Sequence, residues 1–365
     1  MKKILSIFAV LFAVVALTAC GKKEDVNIGI VLPTKEEPRW VQDEARFKEA
    51  LKDTDYSVEV LFSQGSSAKE KENVEALLTK GIDVLIICAH DGSAAASAVE
   101  LAKEDGVKVI AYDRLITDTD AVDYYITFDS ISVGEAQAQY LVAAAGDALV
   151  ADASLPLFLY AGAASDNNAF LFFEGAFKVL QPYIENGAFE VQNYKGSVDL
   201  TKETLTRSEM ADVLGVITTN WDFADAKDLA EANLTGYTGG ADTYILAPND
   251  GTSRYIADVF AADEAIDSYV ITGQDAEKAS IQYIIEGKQS MTVFKDVREL
   301  VKGAINMATN ILEGKTINTD GTYNNNEIDV PAVQVEVVVV EQSNVKAKLI
   351  DTGYYAETDF TWPKS

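Results

Sequence analysis

The sequence predicts an α/β protein made of two doubly wound parallel-sheet lobes. Short apolar, β-branched runs alternate with amphipathic stretches along nearly the whole chain. About eleven such runs are present, too many for one small doubly wound sheet. The 365 residues also exceed the ~100–200 expected of a single domain. Apolar strands separated by helices imply parallel sheets covered on both faces. A closed (β/α)₈ barrel is the structural alternative, and the strand count disfavours it.

The strands are expected at residues 26–32, 58–62, 84–88, 107–112, 124–128, 155–160, 189–194, 243–246, 269–272, 290–294 and 333–340. Apolar residues recur at helical spacing in 68–79, 94–104, 133–145, 254–262 and 299–312. No linker rich in Pro, Gly or Ser divides the chain, so several short crossings are expected between the lobes. The glycine-containing stretch 236–240 reads as a local loop, and no repeat of solenoid length occurs.

The N-terminus reads as an address. Met1-Lys2-Lys3 is positively charged, and residues 4–17 form an almost unbroken apolar run. That run is shorter than the ~20 residues of a membrane span, and small residues follow it, as in a secretory signal. An uncut anchor helix is the alternative. Leu17-Thr18-Ala19-Cys20 resembles the bacterial lipobox. On this reading residues 1–19 are removed, Cys20 becomes the lipid-modified first residue, and 20–25 form a short tether. Two or more acyl chains hold a protein stably at a membrane. An extracytoplasmic, lipid-anchored protein is therefore expected. Cys88, inside an apolar run, then has no partner in the chain and reads as a buried, inert thiol.

Composition excludes several chemistries. With 58 acidic residues against 30 basic, a nucleic-acid surface is not expected. One histidine and two cysteines leave no basis for zinc sites, histidine-metal catalysis or a disulfide scaffold. No G-x-G-x-x-G follows a strand, Gly314-Lys315-Thr316 lacks the upstream glycine of a phosphate loop, and no G-x-S-x-G occurs. Residues 316–327 mimic part of a calcium loop, but Thr316 stands where the first carboxylate ligand belongs. The chain thus implies no catalytic residue, metal or cofactor.

In open α/β sheets, ligands bind beyond the carboxyl ends of the strands. The residues found there are Glu37-Pro38-Arg39-Trp40, Tyr112-Asp113-Arg114, Ser165-Asp166-Asn167-Asn168, Pro248-Asn249-Asp250-Gly251, Gly273-Gln274-Asp275 and Phe294-Lys295-Asp296. Asp166, Asp250 and Asp275 each precede a helix and are equally readable as N-caps. Arg39, Arg114 and Lys295 cannot cap helix starts, where positive charge is unfavourable. These three cations balance Asp113, Asp166 and Asp275. A near-neutral polar pocket suits a polyhydroxyl ligand, whose hydroxyls donate to carboxylates and accept from Arg, Lys or Asn. Trp40 and Trp221 are candidates to lie against the C–H face of a pyranose, with ordinary packing as the alternative.

These residues lie in segments that resemble the type I periplasmic sugar-binding proteins of ABC transporters, in the group of D-xylose-binding and multiple-sugar-binding receptors. The resemblance rests on PRWVQDEARF, VKVIAYDRLI, YYITFDSISVGEAQAQYL, SDNNAFLFFEGAFKVLQPYI, PNDGTSRYIA, ITGQDAEKASIQYIIEGKQSMTVFKD and LIDTGYY. It implies two Rossmann-like lobes joined by a three-crossing hinge. The lobes would be 26–130 plus 296–326 and 131–295 plus 327–342, with a tail at 343–365. Arg39, Trp40, Asp113 and Arg114 would come from the first lobe. Asp166, Asn168, Asn249, Asp275 and Lys295 would come from the second lobe and the hinge. The family also places a tryptophan against the sugar within 195–240, where Trp221 is the only one. The implied protein is monomeric and not an enzyme. It captures a monosaccharide of the xylose, glucose or galactose type by hinge closure and delivers it to an ABC permease. A sugar sensor for a membrane signalling partner, or a receptor for a nucleoside or quorum-signalling furanose, fits the same residues.

Overall fold

The computed structural model describes residues 26–363 apart from positions 53, 240 and 241. The signal segment and Cys20 lie outside the described residues.

The first run of elements is β1 (Ile28–Leu32), α1 (Pro38–Leu51), β2 (Val58–Phe62), α2 (Ser67–Lys80), β3 (Val84–Ile87), α3 (Ala96–Glu104), β4 (Lys108–Tyr112) and β5 (Tyr124–Phe128). A second run begins with α4 (Ser130–Ala145), β6 (Leu155–Leu159), α5 (Asn167–Glu185), β7 (Phe189–Val191), α6 (Arg207–Ile217) and α7 (Phe223–Leu234). It continues through β8 (Thr243–Leu246), α8 (Asp250–Ala262), β9 (Tyr269–Ile271), α9 (Lys278–Glu286) and β10 (Met291–Lys295). The chain returns through α10 (Val297–Leu312), β11 (Gly321–Asn324), β12 (Asp329–Val335) and β13 (Val337–Glu341).

The first five strands lie in the order β2-β1-β3-β4-β5, all parallel. The second run repeats the pattern as β7-β6-β8-β9, again parallel. One parallel bridge, Gln274 to Val293, carries β10 to the far side of β9. Each order reverses beside its first strand, between β1 and β3 and between β6 and β8. Such a reversal opens a crevice past the strands' carboxyl ends. Two open sheets with these orders rule out the barrel.

The structure corrects the end of the chain. Residues 333–340 are not one strand. Val333 pairs with Ile126 of β5 in parallel, whereas Val340 pairs with Thr292 of β10 in antiparallel fashion. The third crossing therefore falls between Val335 and Val337, not at 326/327, and β12 extends the first sheet. The apolar pattern runs through Glu336 without a break, so only the change of hydrogen-bonding partner reveals the crossing. β11 pairs antiparallel with β12 at the sheet edge, so the sheets are mixed rather than wholly parallel.

Packing follows these pairings. Although α10 comes after β10, its apolar face (Leu300, Val301 and Ala304) buries against Ile28, Ile30 and Ile110 of the first sheet. Fully burying an aliphatic side chain contributes about 1.5–3 kcal/mol, enough to hold this face on the first lobe. The tail packs Leu349, Tyr354 and Phe360 with Ile281, Ile284 and Phe294 of the second lobe. Its Tyr354 and Tyr355 hydroxyls also donate to Gln42 of α1, so the tail straddles both lobes. Cys88 is buried in the first core, and burial pushes its thiol pKa up.

Candidate functional site

All ten sequence-predicted site residues line one cavity between the two sheets. Arg39 and Trp40 open α1, just beyond β1, where Pro38 occupies the first helical turn. Asp113 and Arg114 follow β4. Asp166 and Asn168 follow β6, Asn249 follows β8, Asp275 follows β9, and Lys295 ends β10. Trp221 comes from the loop between α6 and α7. The space left between these side chains is about 20 Å³.

Arg39 organises the cavity. Its Nε donates to Asp43 Oδ2 at 2.7 Å, Nη2 to Asp113 Oδ2 at 2.9 Å, and Nη1 to Asp275 Oδ1 at 3.3 Å. Lys295 Nζ approaches the same Asp275 oxygen at 2.7 Å. Arg114 Nε lies 3.1 Å from Asp166 Oδ2 without hydrogen-bond alignment. The Arg39–Asp275 and Arg114–Asp166 pairs cross between lobes. Burial alone would raise Asp113, but Arg39, Lys295 and Arg114 outweigh it and hold its carboxyl below the usual range. Burial wins at Asp166, whose pKa rises despite Arg114.

The backbone is shaped for this purpose. Asp113 has φ +64° and Asp275 φ +97°, in the region that favours glycine. Such residues cost of order 1–3 kcal/mol each and persist only where their surroundings over-determine them. At Asp113 the cause is visible. Its carbonyl accepts from the Tyr125 hydroxyl at 2.8 Å, Thr127 Oγ1 at 3.0 Å and Asn168 Nδ2 at 2.8 Å.

Capping and site roles coincide at two residues and separate at two others. Asp166 accepts from Asn168 N as N-cap of α5, and Asn249 accepts from Thr252 N as N-cap of α8. Both also face the cavity. Asp275 caps nothing; Glu277 holds the N-cap position of α9. Asp250 is buried away from the cavity, accepting from Glu277 N and Gln289 Nε2.

The two tryptophans differ. Trp40 is 3% exposed, with the Arg39 and Arg114 guanidiniums over its ring at 4.9 and 5.0 Å. Trp221 is only partly buried, has φ +60°, and meets Phe172 edge-on at 6.3 Å. Its ring lies so close to Gly162 that a Cβ there would sit 2.0 Å from Cζ2. Both indole N–H groups are buried without a partner.

Three further residues line the cavity: Glu37 and Gln274, which lie in the strand-end segments without being singled out there, and Phe172, which lies outside them. Asp43 sits directly behind Arg39, and its spacing of four on α1 was the available signal. The Tyr112 hydroxyl also donates to it. Gln274 Nε2 donates to Pro248 O at 2.6 Å, while its buried Oε1 has no partner. Phe172 lies below Lys295, 5.7 Å from its ammonium, one helical turn beyond Asn168. Glu37 stands 3.7 Å from Arg114, and burial pushes its pKa up to about 7. Three cations therefore face four carboxylates, not three. Burial raises the pKa of Glu37 and of Asp166, which offsets part of that excess.

Chemically, the cavity is a ring of fixed acceptors interleaved with fixed donors. Carboxylates only accept, guanidinium and ammonium only donate, and a hydroxyl does both.

Residues 28–316 match the periplasmic binding protein domain. The chain is 36% identical to the multiple sugar-binding periplasmic protein SbpA of Azospirillum brasilense, over 92% of this chain and 91% of that one. The chain belongs to the type I periplasmic sugar-binding proteins. Within this family it is also 31% identical to the D-xylose-binding periplasmic protein of Escherichia coli, covering 92% of this chain and 93% of that one. Among solved structures, a carbohydrate transporter solute-binding protein from Chloroflexus aurantiacus in complex with D-glucose shares 63% identity and a TM-score of 0.88. It covers 92% of this chain and 98% of that one. An ABC transporter solute-binding protein from Clostridium phytofermentans with bound β-D-glucose shares 31% identity and a TM-score of 0.83, covering 91% and 99%.

Proposed function

We propose that this protein is an extracytoplasmic, lipid-anchored receptor that captures an aldopyranose of the glucose or xylose type and delivers it to an ABC permease. One observation carries the reading: both lobes contribute fixed donors and acceptors to a single cavity. The D-glucose complex of the 63%-identical relative supports a hexose as the first candidate. Closure is the working step. Ligand hydroxyls bind groups from both lobes at once, so occupancy favours the closed form that a permease recognises. The protein performs no covalent chemistry on the sugar. Cys20 provides the anchor; among the described residues no helix is long and apolar enough to cross a membrane.

Titration calorimetry against D-glucose, D-xylose, D-galactose and L-arabinose tests the reading. Saturable binding of at least one is expected. Binding to none of them, with tight binding of a nucleoside instead, overturns it. Metabolic labelling with a palmitate analogue tests the anchor: the label is expected on the wild type and absent from Cys20→Ser.

A further inference from the structure

Asp275 reaches the cavity from the loop 273–277, between β9 and α9. Two successive residues of that loop, Asp275 and Ala276, are left-handed, at φ +97° and +51°. Neither is glycine, so the pair is strained and persists only where its surroundings over-determine it. Part of the hold comes from β10: Asp275 N donates to Val293 O at 2.9 Å, and Ala276 N to Thr292 Oγ1 at 3.2 Å.

The other anchor is Asp250, the first residue of α8, which is wholly buried and does not line the cavity. Its main-chain N donates to Gln274 O at 3.0 Å, just before the strained pair. Its carboxylate accepts from Glu277 N at 2.9 Å, just after that pair, and from Gln289 Nε2 at 2.7 Å. One residue therefore grips the loop on both sides of Asp275. Gln289 is fixed in turn, because its Nε2 also donates to Met291 O at 3.0 Å. The loop lies flush on the two side chains: a Cβ on Gly273 would stand 2.3 Å from Asp250 Oδ1 and 2.4 Å from Gln289 Nε2. Both carboxylate oxygens of Asp250 are thus spent on the loop and its support, and neither on the cavity.

We propose that Asp250 is a positioning residue for sugar binding. It holds the loop so that the Asp275 carboxylate stands where Lys295, at 2.7 Å, and Arg39, at 3.3 Å, share it and a sugar hydroxyl reaches it. This rests on the sugar-binding reading above. Asp250→Asn keeps the side chain's size, but its NH2 must face Glu277 N or Gln289 Nε2, both donors, so one grip is lost. Calorimetry on the full mature chain is expected to show about tenfold weaker D-glucose binding. Adding Gln289→Glu gives that NH2 an acceptor at unchanged net charge and is expected to recover most of the affinity. In an Asp275→Ala background, Asp250→Asn is expected to cost no more than about twofold, since residues acting as a unit are not additive. Singly deoxygenated glucoses separate positioning from general destabilisation: both substitutions are expected to lose their effect on the same deoxy sugar. Should Asp250→Asn not fold, Gln289→Met, which unties Asp250 on one side, carries the same tests. Wild-type affinity in the variant, losses that add in the double variant, or losses equal across all deoxy sugars overturn the proposal. If the wild type binds none of these sugars, the sugar reading itself fails, and the positioning role with it.

Discussion

The side-chain amide of Asn168 donates to the main-chain carbonyl of Asp113 at 2.8 Å, tying α5 of the second lobe to the turn after β4 in the first. Its Oδ1 meanwhile accepts from Ser130 Oγ at 3.2 Å. Asn168 therefore ties the two lobes together as well as lining the cavity. Asn168→Ala leaves the strained Asp113 turn with one donor fewer. Sugar affinity is expected to fall by about 1–3 kcal/mol, the cost of leaving a buried polar group unpaired. Calorimetry with D-glucose reads the loss, and solution scattering should show a larger radius at the same sugar concentration. Unchanged affinity and radius would show that Asn168 is not such a tie.

Asp275 joins Arg39 of one lobe to Lys295 beside it. Asp275→Ala takes the ion-pair partner from Lys295 and one of three carboxylates from Arg39, and removes an acceptor from the cavity. Binding is expected to weaken by roughly 2–4 kcal/mol. An affinity equal to wild type would take Asp275 out of the site.

Gly162 sets the position of Trp221. In Gly162→Ala the new methyl would stand 2.0 Å from the indole, so the ring must move. Overpacking of this kind costs about 1–3 kcal/mol. A lower melting temperature is expected, together with loss of the sugar-induced change in tryptophan fluorescence. A variant that keeps the fluorescence response would place Trp221 outside ligand contact.

Carboxyls whose pKa burial raises, Glu70 and Glu37 among them, make stability depend on pH. Glu70 is fully buried, accepts from His90 N at 2.8 Å, and has its pKa pushed up by burial to about 7; Glu37 reaches the same value. Between about pH 4.5 and 7 the folded protein holds protons that the unfolded chain has released. Stability contributed by these groups is therefore present in acid and lost as pH rises through that window. A raised pKa of this size corresponds to at most about 3 kcal/mol per group. Melting temperatures from pH 5 to 7.5 should show the decline, and Glu70→Gln should make it shallower. An identical slope in the variant would rule Glu70 out as the source.

Strand ends were legible because β-branched runs stop abruptly at polar residues: Tyr112 before Asp113, Phe294 before Lys295. A parallel sheet buried on both faces demands such runs, so the pattern records the fold directly. The third crossing was not legible. The apolar pattern continues through Glu336, and β12 and β13 differ only in which strand each pairs with.

By itself, the sequence determined the α/β class, the strand-end positions of the cavity residues and the excess of acid over base. Each of these is local, written in spacing or composition. Only the tertiary structure decided that Glu37 and Phe172 join the cavity, that Asp250 turns away from it, and that Asn168 serves the opposite lobe. Those outcomes depend on groups far apart in the chain meeting in a low-dielectric interior, where burial decides which acids keep their protons. No window of sequence contains both partners, so neither the contact nor the charge state is written there.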